Sequence, residues 1–264
     1  MTFCKIYFTF GKKTNEELEY NLAEHLTKKQ LVFVSSKPDG MWQMAQHIKK
    51  EFAKQGIWLF RYRGMLPVII LAIGALLFLQ TELHPEIFPL KNSPYEMYYE
   101  MCCLVVSLLG LFIRICVIGF VPKNTSGRTV EEQVADSLNT TGMYSLVRHP
   151  LYLGNYFMWL GLDMLPANFW FIVAFTFMYW VYYERIMFSE EKFLRSKFGE
   201  AYLTWSDKVP AFVPDFKNYQ KPHLSFSWKK VVRKEITGLF LLFLIFFVFD
   251  YLGVVTKNAA QPNF

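Results

Sequence analysis

The sequence predicts an all-α integral membrane protein with about five transmembrane helices and a helical hairpin in its C-terminal half that returns its polar ends to the cytoplasmic side. Three observations carry this. Of 264 residues, 53% are hydrophobic and 19% aromatic, more apolar surface than a soluble domain of this length can hide. The apolar residues are gathered into long runs, as a bilayer demands. The basic residues, which give a net charge of +6, fall in alternate loops, as membrane topology demands.

Residues 1–40 form a polar N-terminal segment that ends in the turn signal "KPDG" and is given no fold or role. A start at Met41 or Met44 is an alternative that makes it an upstream extension. Residues 1–30 hold no apolar core long enough for export, so the N-terminus is expected in the cytoplasm. Residues 41–64 read as an interfacial amphipathic helix. Trp42, Ile48, Phe52 and Ile57 alternate with Lys49, Lys50 and Lys54, and Trp58, Phe60, Arg61, Tyr62 and Arg63 make an aromatic and basic girdle.

Spans follow at 65–81 and 98–121. A polar loop, 122–143, leads into a hairpin of 151–165 and 168–188, broken at "LPAN" by Pro166 and Asn168. The first arm rises only about 22 Å, less than the roughly 30 Å hydrocarbon core. Residues 216–264 make a linker and a final span at 237–255. Lys and Arg crowd the segments before 65, around 122–150 and at 185–234, whereas the loop 82–97 sets one Lys against Glu82, Glu86 and Glu96. That alternation predicts an N-terminus inside and a C-terminus outside. It also puts residues 122–150 and 184–215 on one cytoplasmic face.

The cysteines Cys4, Cys102, Cys103 and Cys116 form no CxxC pair, so neither a disulfide framework nor a metal site is expected. Arg114 lies inside the second span, where a charge is costly. It must either snorkel or serve a headgroup. Asp250 near the outer end of the last span is given no function.

Two stretches concentrate chemistry. "LNTTGMYSLVRHPLYLGN" runs from Leu138 to Asn155, and "YERIMFSEEKFLRSKFGEAYLTWSDKVPAFVP" from Tyr183 to Pro214. Pro150 at a helix start sacrifices no backbone bond, and the first-turn amides there can receive an anion. Arg148 and His149 flank that point, Gly154 admits a close neighbour, and Glu190 and Glu191 stand beyond the second arm. Carboxylates at that depth suit ribose hydroxyls or an ammonium group. Taken alone, the same residues also suit a solvated helix face and a positive-inside anchor, and Tyr144, Tyr152, Tyr202 and Trp205 an interfacial belt.

These two stretches, in this order around one hairpin, resemble the integral-membrane methyltransferases related to isoprenylcysteine carboxyl methyltransferase and the phospholipid methyltransferases. The matching pieces are "GMYSLVRHPLYLG", "EEKFLRSKFGEAYLTW" and "VPAFVP", within residues 122–215. The resemblance implies S-adenosylmethionine as donor, S-adenosylhomocysteine as product, and a cofactor site of Tyr144, His149, Pro150, Leu151, Tyr152, Gly154 and Glu190, with Leu138 and Asn139 matched more weakly.

Two departures stand out. Ile186, next to Arg185, occupies the position where the eukaryotic carboxyl methyltransferases carry a substrate-contacting arginine, and the span at 237–255 is additional. The wording "YERIMFSEE" is closer to bacterial members, some of which methylate a lipid phosphate such as that of lipid A. The reaction expected is methyl transfer to an anionic lipid headgroup, phosphate or carboxylate, drawn from the bilayer. Arg148, Arg185 and Glu191 are the expected catalytic residues, and Arg114, Arg128 and Arg185 the substrate-binding ones.

Isoprenylcysteine carboxyl methylation and phospholipid amine methylation are alternatives; an amine would need a base, for which His149 or Glu191 is available. A sterol-type reductase using NADPH shares an "RHPxYxG" turn, but the "EE" pair favours the methyltransferase. A membrane scaffold or transporter is a third reading. The partners expected are the membrane and its lipid, with no nucleic acid and no metal.

Overall fold

The computed structural model describes residues 39–88, 90–91, 93–122 and 135–260. Residues 1–38 and Arg128 lie outside the described residues. The described residues are helical or irregular, with no strand among them. Eight α-helices are described: α1 (Asp39–Arg61), α2 (Met65–Leu83), α3 (Glu96–Phe120), α4 (Met143–Leu146), α5 (Pro150–Met164), α6 (Phe169–Phe198), α7 (Glu200–Ser206) and α8 (Trp228–Ala260). The chain divides into two units, Met1–Glu51 and Phe52–Phe264. In the first, residues 43–50 are exposed helix surface. Everything below concerns the second.

Of the five expected spans, α2, α3 and α8 are long and apolar enough to cross a membrane. The remaining two are the arms of the hairpin, of which the second differs from expectation. Helix α5 is short, as its 15 residues foretold. Helix α6 does not stop at residue 188 but continues to Phe198, a rod of about 45 Å. No glycine or proline interrupts "YERIMFSEEKFLRSKF", so nothing in the backbone ends the helix where the composition turns polar. The break comes at Gly199, whose φ of 53° is left-handed. Between the arms, Asn168 caps α6 by accepting from the Phe171 amide, and Ala167 takes a φ of 54° in the tight "LPAN" turn.

The tightest helix pair is α3 with α5. A β-carbon on Gly110 would run into the Met158 amide and the Gly154 carbonyl, and one on Gly161 into Ser107. Ser107 donates to the Met158 carbonyl at 2.9 Å, and Cys103 is fully buried beside it. Small residues let two backbones approach in lipid, where packing rather than water exclusion drives association. Helix α1 seats on α6 by the same device, with Gly56 against the Arg185 carbonyl and Ser189.

Opposite the charged end of the hairpin, Lys91 gathers Glu82 at 2.5 Å and Glu96 at 3.2 Å, while Lys257 of α8 reaches Glu96 at 3.2 Å. The one lysine of the acidic loop is thus buried and ties α2 to α3, and Lys257 brings α8 to the same carboxylates.

Candidate functional site

The site forms where the two arms of the hairpin return. His149 is the N-cap of α5 and Pro150 its first residue. The Tyr152 and Leu153 amides both bond to the His149 carbonyl at 3.2 Å. The open cluster of first-turn amides expected at Pro150 is therefore reduced to the Leu151 amide. The turn instead presents side chains.

A loop holds this turn in place. Pro210 accepts from the Arg148 amide at 2.9 Å, Leu146 accepts from the Asp215 amide at 2.9 Å, and Gln220 accepts from the Gly142 amide at 2.9 Å. The closing "VPAFVP" stretch thus acts as a backbone clamp on "GMYSLVRH". Trp205 adds an indole bond to the Tyr144 carbonyl at 3.2 Å and packs edge-on against Tyr202. Neither aromatic is a belt residue: Tyr202 is fully buried and Trp205 is engaged in the clamp.

Because α6 runs on unbroken, it carries Glu190 and Glu191 to the start of α5. Glu191 accepts from Arg148 Nη1 at 2.9 Å and lies 3.0 Å from His149 Nε2. Glu190 accepts from the Tyr152 hydroxyl at 2.6 Å, with His149 Nδ1 at 3.7 Å. His149 is buried, whereas the other three charged side chains stay about one-fifth exposed, as a group that meets a ligand must.

The electrostatics of the two carboxylates diverge. Burial raises the Glu190 carboxyl above its ordinary value, against the opposing pull of His149, Tyr152 and Arg63. Burial would raise Glu191 too, but the hydrogen bond and charge of His149 and the charge of Arg148 outweigh it and hold that carboxyl low. Tyr202, pressed by burial and by the Glu191 charge, is pushed up to about 12. Burial, with a smaller push from the Glu190 charge, likewise raises the phenol of Tyr144. Among the described residues, Arg148 Nε is a buried donor without a hydrogen-bond partner, and the Tyr202 hydroxyl, beside Arg148 and Glu191, makes no well-aligned bond. Behind the carboxylates stands a column of rings. His149 and Tyr152 lie 5.8 Å apart, Tyr152 and Tyr183 4.8 Å, and Tyr183 and Tyr179 4.1 Å.

The structure thus brings together Tyr144, Arg148, His149, Tyr152, Glu190 and Glu191 of the expected set, with Pro150 and Leu151 in the same turn. Leu138 and Asn139 are half-buried in the coil before α4. Gly154 faces away from the cluster: a β-carbon there would meet the Gly110 carbonyl and the Arg114 side chain, so its neighbour is a helix. Arg185 also faces elsewhere. Its guanidinium lies 3.6 Å from the Phe52 ring centre and donates to Glu184 at 2.8 Å. Arg114 neither snorkels nor stands open to a headgroup. Glu235 accepts from its Nε and Nη2 at 2.7 and 2.6 Å, and Asn155 accepts from its Nη1. Ile186, at the departure from the eukaryotic pattern, is fully buried in the hydrophobic core with Tyr183 and Tyr179.

Sequence reasoning missed Glu235, Asn155 and Tyr183. Asn155 carried a signal, a lone amide in an apolar arm; Glu235, inside a basic run, carried none.

Comparison with known proteins meets this geometry. Residues 120–201 match the phospholipid methyltransferase family. The chain is 32% identical over 118 residues to a protein-S-isoprenylcysteine O-methyltransferase of Schizosaccharomyces pombe, covering 44% of this chain and 50% of that protein. A protein of the same name from Saccharomyces cerevisiae is 31% identical over 134 residues, 48% of this chain and 56% of the relative. The one from Xenopus laevis is 33% identical over 116 residues, 43% and 40%. This chain is related to the integral-membrane methyltransferases that comprise the isoprenylcysteine and phospholipid enzymes. It spans about half the length of the curated relatives it matches. The matched family segment contains every residue of the carboxylate cluster.

Proposed function

We propose that the protein is a membrane O-methyltransferase. It would move a methyl group from S-adenosylmethionine to an anionic oxygen on an acceptor held in the bilayer by a hydrophobic tail. The first acceptor class is the carboxylate of a prenylated cysteine, in keeping with the names of its relatives. The observation that carries this reading is the Arg148–Glu191–His149 and Tyr152–Glu190 cluster at the mouth of the hairpin.

The donor set suits S-adenosylmethionine. Glu190 and Glu191 offer carboxylates to an ammonium group and ribose hydroxyls. Arg148 Nε is a buried donor without a hydrogen-bond partner among the described residues. The cofactor supplies an electrophilic methyl carbon on a sulfonium. Bound there, S-adenosylmethionine would give its methyl group to the acceptor oxygen and leave as S-adenosylhomocysteine. A carboxylate or phosphate is already anionic near neutral pH, so no proton moves and no general base is needed. The protein must align the two partners and exclude water, which accounts for the clamp on the "RHP" turn.

A lipid phosphate is the second reading, favoured by Ile186: a buried apolar side chain stands where the eukaryotic enzymes place an arginine.

Calorimetry on the purified full chain tests the donor. Micromolar binding of S-adenosylhomocysteine without binding of NADPH is expected. Binding of NADPH alone would point to a reductase. Radiolabelled methyl transfer to an N-acetylated S-farnesylcysteine, against vesicles containing a lipid phosphate monoester, then separates the two acceptors.

A further inference from the structure

We propose that Arg63, at the corner between α1 and α2, is the cation that receives the acceptor's anionic group. This rests on the methyltransferase reading above and assigns its acceptor site.

Three arginines that the sequence singles out are already engaged. Arg148 is paired with Glu191, Arg114 is gripped by Glu235 and Asn155, and Arg185 is stacked on Phe52 and bonded to Glu184. Each already has its carboxylate. Arg63 has none among the described residues. It donates from Nη1 to the Phe60 carbonyl at 3.0 Å, and its guanidinium lies 4.0 Å from the Phe60 ring centre. Most of its donors stay open, and the fork geometry of an arginine suits a carboxylate or phosphate.

Its placement is built rather than incidental. Gly56 lets α1 sit directly on α6. Leu59, one turn before Arg63, accepts from the Tyr182 hydroxyl at 3.0 Å. Leu59 and Phe60 pack against the core that contains Tyr183 and Ile186. These contacts bring the end of α1 to the middle of the cofactor wall. Arg63 is half-buried there, and its charge opposes the burial that raises the Glu190 carboxyl.

Arg63 also stands at the bilayer boundary. Trp58, Tyr62 and Met65 around it are exposed, as lipid-facing side chains are. An amphiphile can therefore keep its tail in the bilayer and bring its anionic head to Arg63. A positive charge near Glu190 without a carboxylate of its own is what an anionic acceptor needs beside a cationic donor.

The test uses the purified full chain, Arg63→Gln and Arg63→Lys. The acceptor probes are an N-acetylated S-farnesylcysteine with a free carboxylate, its methyl ester, and vesicles carrying a lipid phosphate monoester. For Arg63→Gln the KM of the accepted probe should rise about ten- to hundredfold, with S-adenosylhomocysteine affinity within about twofold of wild type. Arg63→Lys should fall between, because a point charge replaces a fork. An unchanged acceptor KM, or an equal loss of S-adenosylhomocysteine affinity, overturns the assignment.

Binding of the free-carboxylate probe and of the vesicles, read by tryptophan fluorescence, decides the case in which neither probe accepts a methyl group. Saturable binding weakened by Arg63→Gln, and absent for the ester, keeps Arg63 as an anion site while the methyltransferase reading fails. Binding that ignores the substitution, or no saturable binding by wild type, overturns the Arg63 proposal.

Discussion

Arg114 of α3 and Glu235 of α8 form a two-pronged ion pair, with Nε and Nη2 donating to the two carboxylate oxygens at 2.7 and 2.6 Å. Glu235 is buried and Asn155 of α5 takes a third arginine proton, so one guanidinium joins three helices. A charge that would be costly in the second span is thereby neutralised inside the bundle.

Breaking that pair from one side should cost far more than removing it. Glu235→Leu strands a buried guanidinium, at about 3–5 kcal/mol, and should lower the thermal midpoint in detergent by roughly 6–20 °C. Arg114→Met combined with Glu235→Leu should recover most of the loss. A single variant as stable as wild type would mean that the pair is not buried in the folded protein.

Glu190 should show opposite effects on stability and on binding. Its folded-state carboxyl is raised, so its contribution to stability weakens as pH rises past the ordinary value of 4.5. Glu190→Gln should therefore be at least as stable as wild type at pH 7. It should also bind S-adenosylhomocysteine about ten- to hundredfold more weakly, having lost one charge-assisted contact. Wild-type affinity in Glu190→Gln and in His149→Ala would remove both from the site.

Glu191 has the reverse sign. Its folded-state carboxyl lies below the ordinary 4.5, so the stability it contributes is present above that value and is lost as pH falls through the lowered one. Acid titration of the thermal midpoint should show a drop below about pH 4.5 that Glu191→Gln flattens. Identical acid profiles would separate Glu191 from Arg148 and His149.

Gly110→Ala addresses the scaffold rather than the site. Its β-carbon would press on the Met158 amide and the Gly154 carbonyl, so α3 and α5 must part. Overpacking of this kind should cost about 1–3 kcal/mol, seen as a lower midpoint. Ala at Gly64, where nothing crowds the added carbon, is the control. Equal midpoints for the two would show that the helices are not in backbone contact.

The sequence by itself determined the membrane class, the first two spans, the last span and the hairpin, because apolar runs and breakers such as Pro166 act locally. It also singled out Tyr144, Arg148, His149, Tyr152, Glu190 and Glu191, which carry a resemblance in two short stretches. Tertiary structure decided which way each side chain faces. Arg114, Arg148 and Arg185 look alike in sequence, yet one binds α8, one binds Glu191 and one stacks on Phe52. Arg63 reads as part of a girdle until Gly56 lets α1 settle on α6. An ion pair such as Arg114 with Glu235 joins residues 121 positions apart. Local pattern holds no information about such a partner, because the approach of two helices is set by packing along their whole length.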